Sequence, residues 1–252
     1  MKKLVVAFGC GGVLLVTLFA LAIFNLDVLV EMATNRFASR ITKTEVKIDD
    51  AKVSLRSGEV TLKGLFLGNP DGFQAPHAMK VASIFANLDE KTLLEDTIVL
   101  DRVEVVGAEI TYEKAAGTDN FKTILNNVKA SVQGEAAKQE AAQAGQSKKV
   151  VIRDFIIRDG TVRLFMPMLA GQNITVSLSE IHLRNLGKEG TSASEIVAQI
   201  LASLQGKITS PQIGAELTKG LGKVGSQMEK SGKDVQRELE KAGDRLKGLL
   251  GQ

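Results

Sequence analysis

From Val46 onward apolar positions alternate with polar ones. Val46, Ile48, Val53 and Leu55 lead into Val60, Leu62, Leu65 and Leu67, the period-two signature of half-buried strands. Ser57-Gly58 supplies a turn between two strands, and Asn69-Pro70-Asp71-Gly72 supplies a second. Ile84, Ala86 and Leu88 alternate in a third strand. Residues 98–106 and 109–113 form a further pair, broken at Gly107, and strands resume at 150–157, 161–166 and 174–183.

Elsewhere the period is helical. Residues 27–39 carry Val28, Leu29, Met32, Ala33 and Phe37 at helical spacing. Asp119 or Asn120 is the expected N-cap of a helix through Phe121, Ile124, Leu125 and Val128. Residues 130–149 are rich in Ala, Gln, Lys and Glu with no apolar stripe, which reads as a solvated helix extension or a linker. Ser192 or Ser194 caps a short amphipathic helix through Ile196, Val197, Ile200, Leu201 and Leu204. Residues 213–250 form a long amphipathic pattern: Leu217, Leu221, Val224, Met228, Val235, Leu239, Ala242, Leu246 and Leu249 step by three or four, with one gap at Ser231-Gly232. Gly220, Gly222, Gly225, Gly232, Gly243 and Gly248 each weaken that helix by up to about 1 kcal/mol relative to Ala. It therefore needs a partner surface: the protein's own sheet, a second copy, or a membrane interface.

Lys2 and Lys3 precede an uncharged, mostly apolar run of 23 residues, Leu4 to Leu26. At about 1.5 Å per residue it reaches roughly 34 Å, enough for a hydrocarbon core of about 30 Å. The expectation is a transmembrane anchor at 1–26, a juxtamembrane helix at 27–44, and a body beyond it. The two lysines place the N-terminus inside and the body outside a membrane crossed once, which in a bacterium means the periplasm or cell exterior. Ala20-Leu21-Ala22 has the small-residue form of a signal-peptide cleavage site, so cleavage stays open as the alternative.

Composition narrows the chemistry. Cys10 is the only cysteine, so there is neither an intrachain disulfide nor a cysteine metal site. The formal charge is +3, with no Trp and one Tyr, so nothing points to nucleic acid. His77 and His182 are the only histidines, and neither has a nucleophile motif beside it. His77 reads as a solvated loop residue and His182 as a polar-face strand residue. Asp49-Asp50 and Glu95-Asp96 read as caps and solvated ends rather than an acid/base pair. The expectation is a non-enzyme, with no catalytic residue, cofactor or metal.

A pattern recurs three times. Val53-x-Leu55, Gly58, Val60-x-Leu62 is followed by Val103-x-Val105, Ala108, Ile110-x-Tyr112 at an offset of 50, then by Phe155-x-Ile157, Gly160, Val162-x-Leu164 at a further 52. Each reads as strand, tight bend, strand. Leu62-x-x-Leu65-x-Leu67-x-Asn69 likewise matches Leu178-x-x-Ile181-x-Leu183-x-Asn185. Such spacing predicts a repeated β unit that stacks on itself.

These motifs carry a resemblance. The run Ser57-Gly58-Glu59-Val60-Thr61-Leu62-Lys63-Gly64-Leu65-Phe66-Leu67-Gly68-Asn69-Pro70-Asp71-Gly72-Phe73 is followed by Leu93-Leu94-Glu95-Asp96, then 98–112, then Asn120-Phe121. Together with the N-terminal run, over about residues 1–185, the chain resembles the AsmA family of bacterial envelope proteins. The resemblance implies an inner-membrane anchor and a periplasmic, curved β-sheet groove with an apolar lining. Large members of that superfamily are linked to moving or organising phospholipids between two membranes. About nine strands at roughly 4.8 Å give a groove of only about 40 Å, too short to bridge a periplasm alone.

The expected fold is α+β: the transmembrane helix, a curved and mainly antiparallel sheet over 45–187, flanking helices, and a helical C-terminal region over 188–252. Its groove candidates are Val53, Leu55, Val60, Leu62, Leu65, Leu67, Ile84, Leu88, Val103, Val105, Ile110, Phe155, Ile157, Val162, Leu164, Leu178, Ile181 and Leu183. Gly58, Asn69, Pro70, Gly72, Gly107 and Gly160 are the expected turn positions. The expected function is non-enzymatic phospholipid transport or homeostasis, with membrane phospholipids as partners. The alternative is a structural or interaction protein of the envelope. There the sheet is closed by its own helices, and residues 212–252 bind a protein partner or a second copy.

Overall fold

The longest strand organises the molecule. In the computed structural model, which describes residues 26–54, 56–115, 117–141, 149–166, 174–224 and 226, β5 runs for 19 residues, Thr97–Ala115. Before it come β1 (Val46–Lys47), β2 (Asp50–Ser54), β3 (Glu59–Leu67) and β4 (Met79–Leu88). After it come β6 (Thr118–Asp119), β7 (Lys149–Arg158), β8 (Gly160–Phe165), β9 (Ile174–Leu178) and β10 (Ile181–Thr191). The main sheet is mostly antiparallel. Its order is β1/β2, β3, β4, β5, then β7 continued by β8, then β10 preceded by β9. Only β5 with β7 and β8 is parallel. At about 4.8 Å per neighbour, six such rungs span about 24 Å, narrower than nine strands would give.

Two of the three repeat copies are not hairpins. β5 continues straight through Gly107, and β7 passes into β8 across Asp159 alone. The copies instead lie side by side in register, with Val103 opposite Phe155, Val105 opposite Ile157, Ile110 opposite Val162 and Tyr112 opposite Leu164. Only the first copy turns back, at Ser57-Gly58, joining β2 to β3.

A three-residue step replaces the two-residue pleat once in every rung. Ile48 and Ala51 face one side, as do Leu62 and Leu65, Val81 and Ile84, Val105 and Ala108, Ile157 and Gly160, Leu178 and Ile181. The steps align into a crease across the sheet. A left-handed residue sits in three of them: Gly64 (φ 64°), Gly107 (φ 68°) and Asp159 (φ 55°). L-residues other than Asn and Asp rarely adopt that region. At Gly64 space is also closed, since a Cβ there would lie 1.9 Å from Asp49 Oδ2.

Among the described residues four α-helices accompany the sheet. α1 (Leu26–Thr42) packs along β1 and β2, and α2 (Asn120–Ala141) packs on α3 (Ala193–Ile208) and β5. α3 lies on β7 and β10. A fourth helix, α4, covers 211–224. Asp119 caps α2, its Oδ1 accepting from the Lys122 N–H at 2.8 Å. Ser192 caps α3 in a reciprocal capping box with Glu195. Phe121, Ile124 and Val128 of α2 are fully buried against Leu204 and Ile208 of α3. In α4, Ile213, Leu217 and Val224 are buried, and Gly220 lets the backbone approach Ile174, where a Cβ would lie 2.4 Å from Cγ2. The pattern beyond 226 lies outside the described residues, as do 142–148 of the expected linker.

The membrane-spanning helix is corrected. No helix among the described residues is long and apolar enough to cross a membrane. α1 has 17 residues, about 25 Å by rise per residue, and carries Asp27, Glu31, Arg36 and Arg40. The apolar run at 1–25 lies outside the described residues. The fold is thus a mixed α/β body with four described helices, none of which supports the single-pass inner-membrane placement with a cytoplasmic N-terminus and periplasmic body.

Candidate functional site

The expected groove residues form transverse rows on one face of the sheet. One row runs Val53, Val60, Ala86, Val103, Phe155, Leu183. The next runs Ala51, Leu62, Ile84, Val105, Ile157, Ile181. Beyond the crease, Leu67, Met79, Ile110, Val162 and Val176 form another. Leu65 and Leu178 flank the crease, and Leu164 sits between Tyr112 and Ile174. Leu88 opens the row at the opposite end, beside Leu100. Leu55 lies outside the described residues.

These rows are not uniformly available. Val103, Val105, Ile110, Phe155, Ile157, Val162, Leu178 and Ile181 are buried, none more than 9% exposed, beneath α2 and α3. Leu67 is buried near the crease by Ile41 of α1. Val53, Val60, Leu62, Leu65, Ile84, Leu88, Leu164 and Leu183 are half-buried. Most of the half-buried set lies on β2, β3 and β4. No described helix packs substantially on β3 or β4, whereas α1 covers β1/β2 and α2 and α3 cover the rungs from β5 onward. The apolar face is therefore roofed on both flanks and open along a furrow whose floor is Val60, Leu62, Ile84, Ala86 and Leu88.

The turn positions divide by role. Gly58 turns the β2–β3 hairpin at φ 65°. Asn69 and Asn120, read separately in the sequence, meet: Asn120 Nδ2 donates to Asn69 Oδ1 at 2.9 Å and to the Thr111 carbonyl at 2.7 Å. Asn69 Nδ2 donates to the Ala75 carbonyl at 2.7 Å. The N–H groups of Gln74 and Ala75 donate to the buried Glu113 carboxylate. Pro70 and Gly72 (φ 91°) shape the loop tip. Gly107 and Gly160 are not hairpin turns. Gly107 lies within β5 at the crease, and Gly160 belongs to β8, where an added Cβ would press Leu178 at 3.0 Å.

The opposite face holds two cavities that alternation alone does not reveal. At the crease, the small floor of Gly64, Ala82 and Gly107 leaves a cavity of about 480 Å³ walled by Lys47, Asp49, Phe66, Lys80 and Glu109. A second, of about 350 Å³, surrounds Thr61, Phe85, Asn87, Arg102 and Glu104. Its Phe85 is 44% exposed. Arg158 donates to the Glu104 carboxylate, and that hydrogen bond, with a second from Arg102, holds Glu104 below its ordinary range. The out-of-phase aromatics Phe66 and Phe85 were the available sequence signal for this surface.

The histidines stand apart from one another. His182 Nε2 lies 2.8 Å from Asp154 Oδ1 on the exposed face, and that bond lowers the Asp154 pKa. His77 is corrected: it is only 5% exposed, not a solvated loop residue. It packs against Phe66, ring centroids 6.1 Å apart, with Arg163 Nη2 3.4 Å from its Nε2. Among the described residues, no group of three or more His, Cys, Asp or Glu side chains is placed to hold a metal ion.

Neither a family model nor a curated protein matches the sequence. The AsmA-like reading thus rests on the motifs alone.

Proposed function

We propose that the protein is a non-enzymatic lipid-contacting protein that serves phospholipid transport or homeostasis, with the furrow over β3 and β4 taking acyl chain. The observation that carries this reading is the burial difference along each row. Within one row Val105 and Ile157 are 8% and 4% exposed, while Leu62 and Ile84 stay half-open. The furrow floor is wholly aliphatic. Acyl chain placed there removes apolar surface from water at about 25 cal/mol per Å². The test is binding of a spin-labelled phospholipid to the full chain. Leu62→Asp and Ile84→Asp should each cut binding at least tenfold while circular dichroism stays unchanged. Undiminished binding by both folded variants sinks the reading.

A second reading is favoured by the roofed half. There the apolar face is closed by the protein's own helices, as in a structural or interaction protein whose partner binds residues 212–252. It expects no lipid on the purified chain and loss of a protein partner when 212–252 are removed.

A further inference from the structure

His77 is the one imidazole held away from water, and its surroundings are built for the neutral form. It lies on the loop between β3 and β4, where the Phe66 ring of β3 sits tilted beside it. Arg163 of β8 brings Nη2 to 3.4 Å from Nε2 and to 3.3 Å from Thr111 Oγ1 of β5. A guanidinium has only donors, so a hydrogen bond between the two requires Nε2 to be the acceptor nitrogen of a neutral ring. Protonation would turn that acceptor into a donor pointed at a donor, in a site where the new charge is poorly solvated.

The charged groups around the ring agree. Lys80 of β4 and Arg163 of β8 oppose a second positive charge, and only Glu109 of β5 favours one. Burial is the largest influence, and together these hold the His77 pKa below its ordinary 6.5. His77 is also in a loop whose two ends are fixed by backbone bonds, the Gly68 N–H donating to the Glu45 carbonyl and the Ala78 N–H to the Leu67 carbonyl. Asn69 ties it to Ala75 and Asn120, and Glu113 ties it through the N–H groups of Gln74 and Ala75.

We infer that His77 is a proton-operated latch: neutral, it holds the 68–78 loop on the sheet, and protonated, it releases that loop. The sign follows from linkage. A histidine whose pKa is lower in the folded state contributes stability that is complete above its unfolded value. That stability is lost as pH falls from about 6.5 through the folded value. Release would uncover Ala75 and Ala78, at 5% and 0% exposure, and loosen the Asn69–Asn120 bond that holds the start of α2. The inference does not depend on lipid binding, since it concerns the far side of the crease from the furrow floor.

The test is an NMR titration of the full chain from pH 8 to pH 4.5. The chain holds two histidines, so His182→Gln assigns both imidazole signals. The expected result is a His77 midpoint below the ordinary imidazole range, with the amides of 69–78 and of Asn120 shifting at the same midpoint. In His77→Gln, which keeps an acceptor for Arg163, those amides should stop responding in that window. Arg163→Met removes the facing donor and charge, so it should raise the His77 midpoint, giving a second reading if His77→Gln does not fold. A His77 midpoint in or above the ordinary range overturns the latch, as do loop amides that ignore His77 titration.

Discussion

The two halves of the apolar face are made of the same residues and treated differently. Phe155 and Ile157 lie under α2 and α3 at 4% exposure each, while Leu62 and Ile84, on the same face of the same sheet, are only half-buried. The sheet is continuous, so the difference comes from where the helices attach. α1 enters directly into β1, and α2 and α3 leave directly from β6 and β10. Short connections hold each helix over its own strands, and β3 and β4, joined to their neighbours by loops and one short 3-10 turn at Glu90–Thr92, receive no α-helix. Chain connectivity therefore decides which aliphatic residues become core and which remain open.

Substitutions on each side sharpen that contrast, beginning with the largest effect. Phe121→Ala, at 0% exposure beneath the roof, should lower unfolding free energy by about 3–5 kcal/mol in urea denaturation. Gly64→Ala should cost about 1–3 kcal/mol in the same assay, because the left-handed conformation and the Asp49 carboxylate both oppose a Cβ. A cost below a few tenths would mean that the crease is not fixed by Gly64. Ser192→Ala removes the α3 cap and should cost about 1 kcal/mol, with hydrogen exchange faster at the first turn of α3 than in β4. Ile84→Ala, on the open floor, should cost least, under about 1 kcal/mol, since its side chain is only partly buried. If Ile84→Ala proves as costly as Phe121→Ala, the furrow is closed and the contrast fails.

Much of this arrangement was legible in the chain. The alternation at 53–67 and 84–88, the Ser57-Gly58 turn and the caps, narrowed to Asp119 or Asn120 and to Ser192 or Ser194, are local features with local causes. The repeat was legible too, but its meaning was not. A step such as Val105-x-x-Ala108 looks the same for a hairpin and for a creased continuous strand. Only pairing with a neighbour separates them, and the β5–β8 pairing is long-range. The same limit hid His77. Pro76 beside it signals a loop, and loops are usually solvated, yet Phe66 and Arg163 arrive from strands 11 and 86 residues away. Burial of the individual groove candidates was equally out of reach, because Leu62 and Ile157 both read as inward strand positions and differ in what lies above them.

The most direct test is native mass spectrometry with lipid extraction on the full chain, purified without added lipid, alongside Ile84→Asp. The account predicts phospholipid bound near one-to-one on the unaltered chain and lost from the folded variant. A folded, unaltered chain that carries no phospholipid would contradict it, and would leave the roofed sheet as a scaffold for a protein partner.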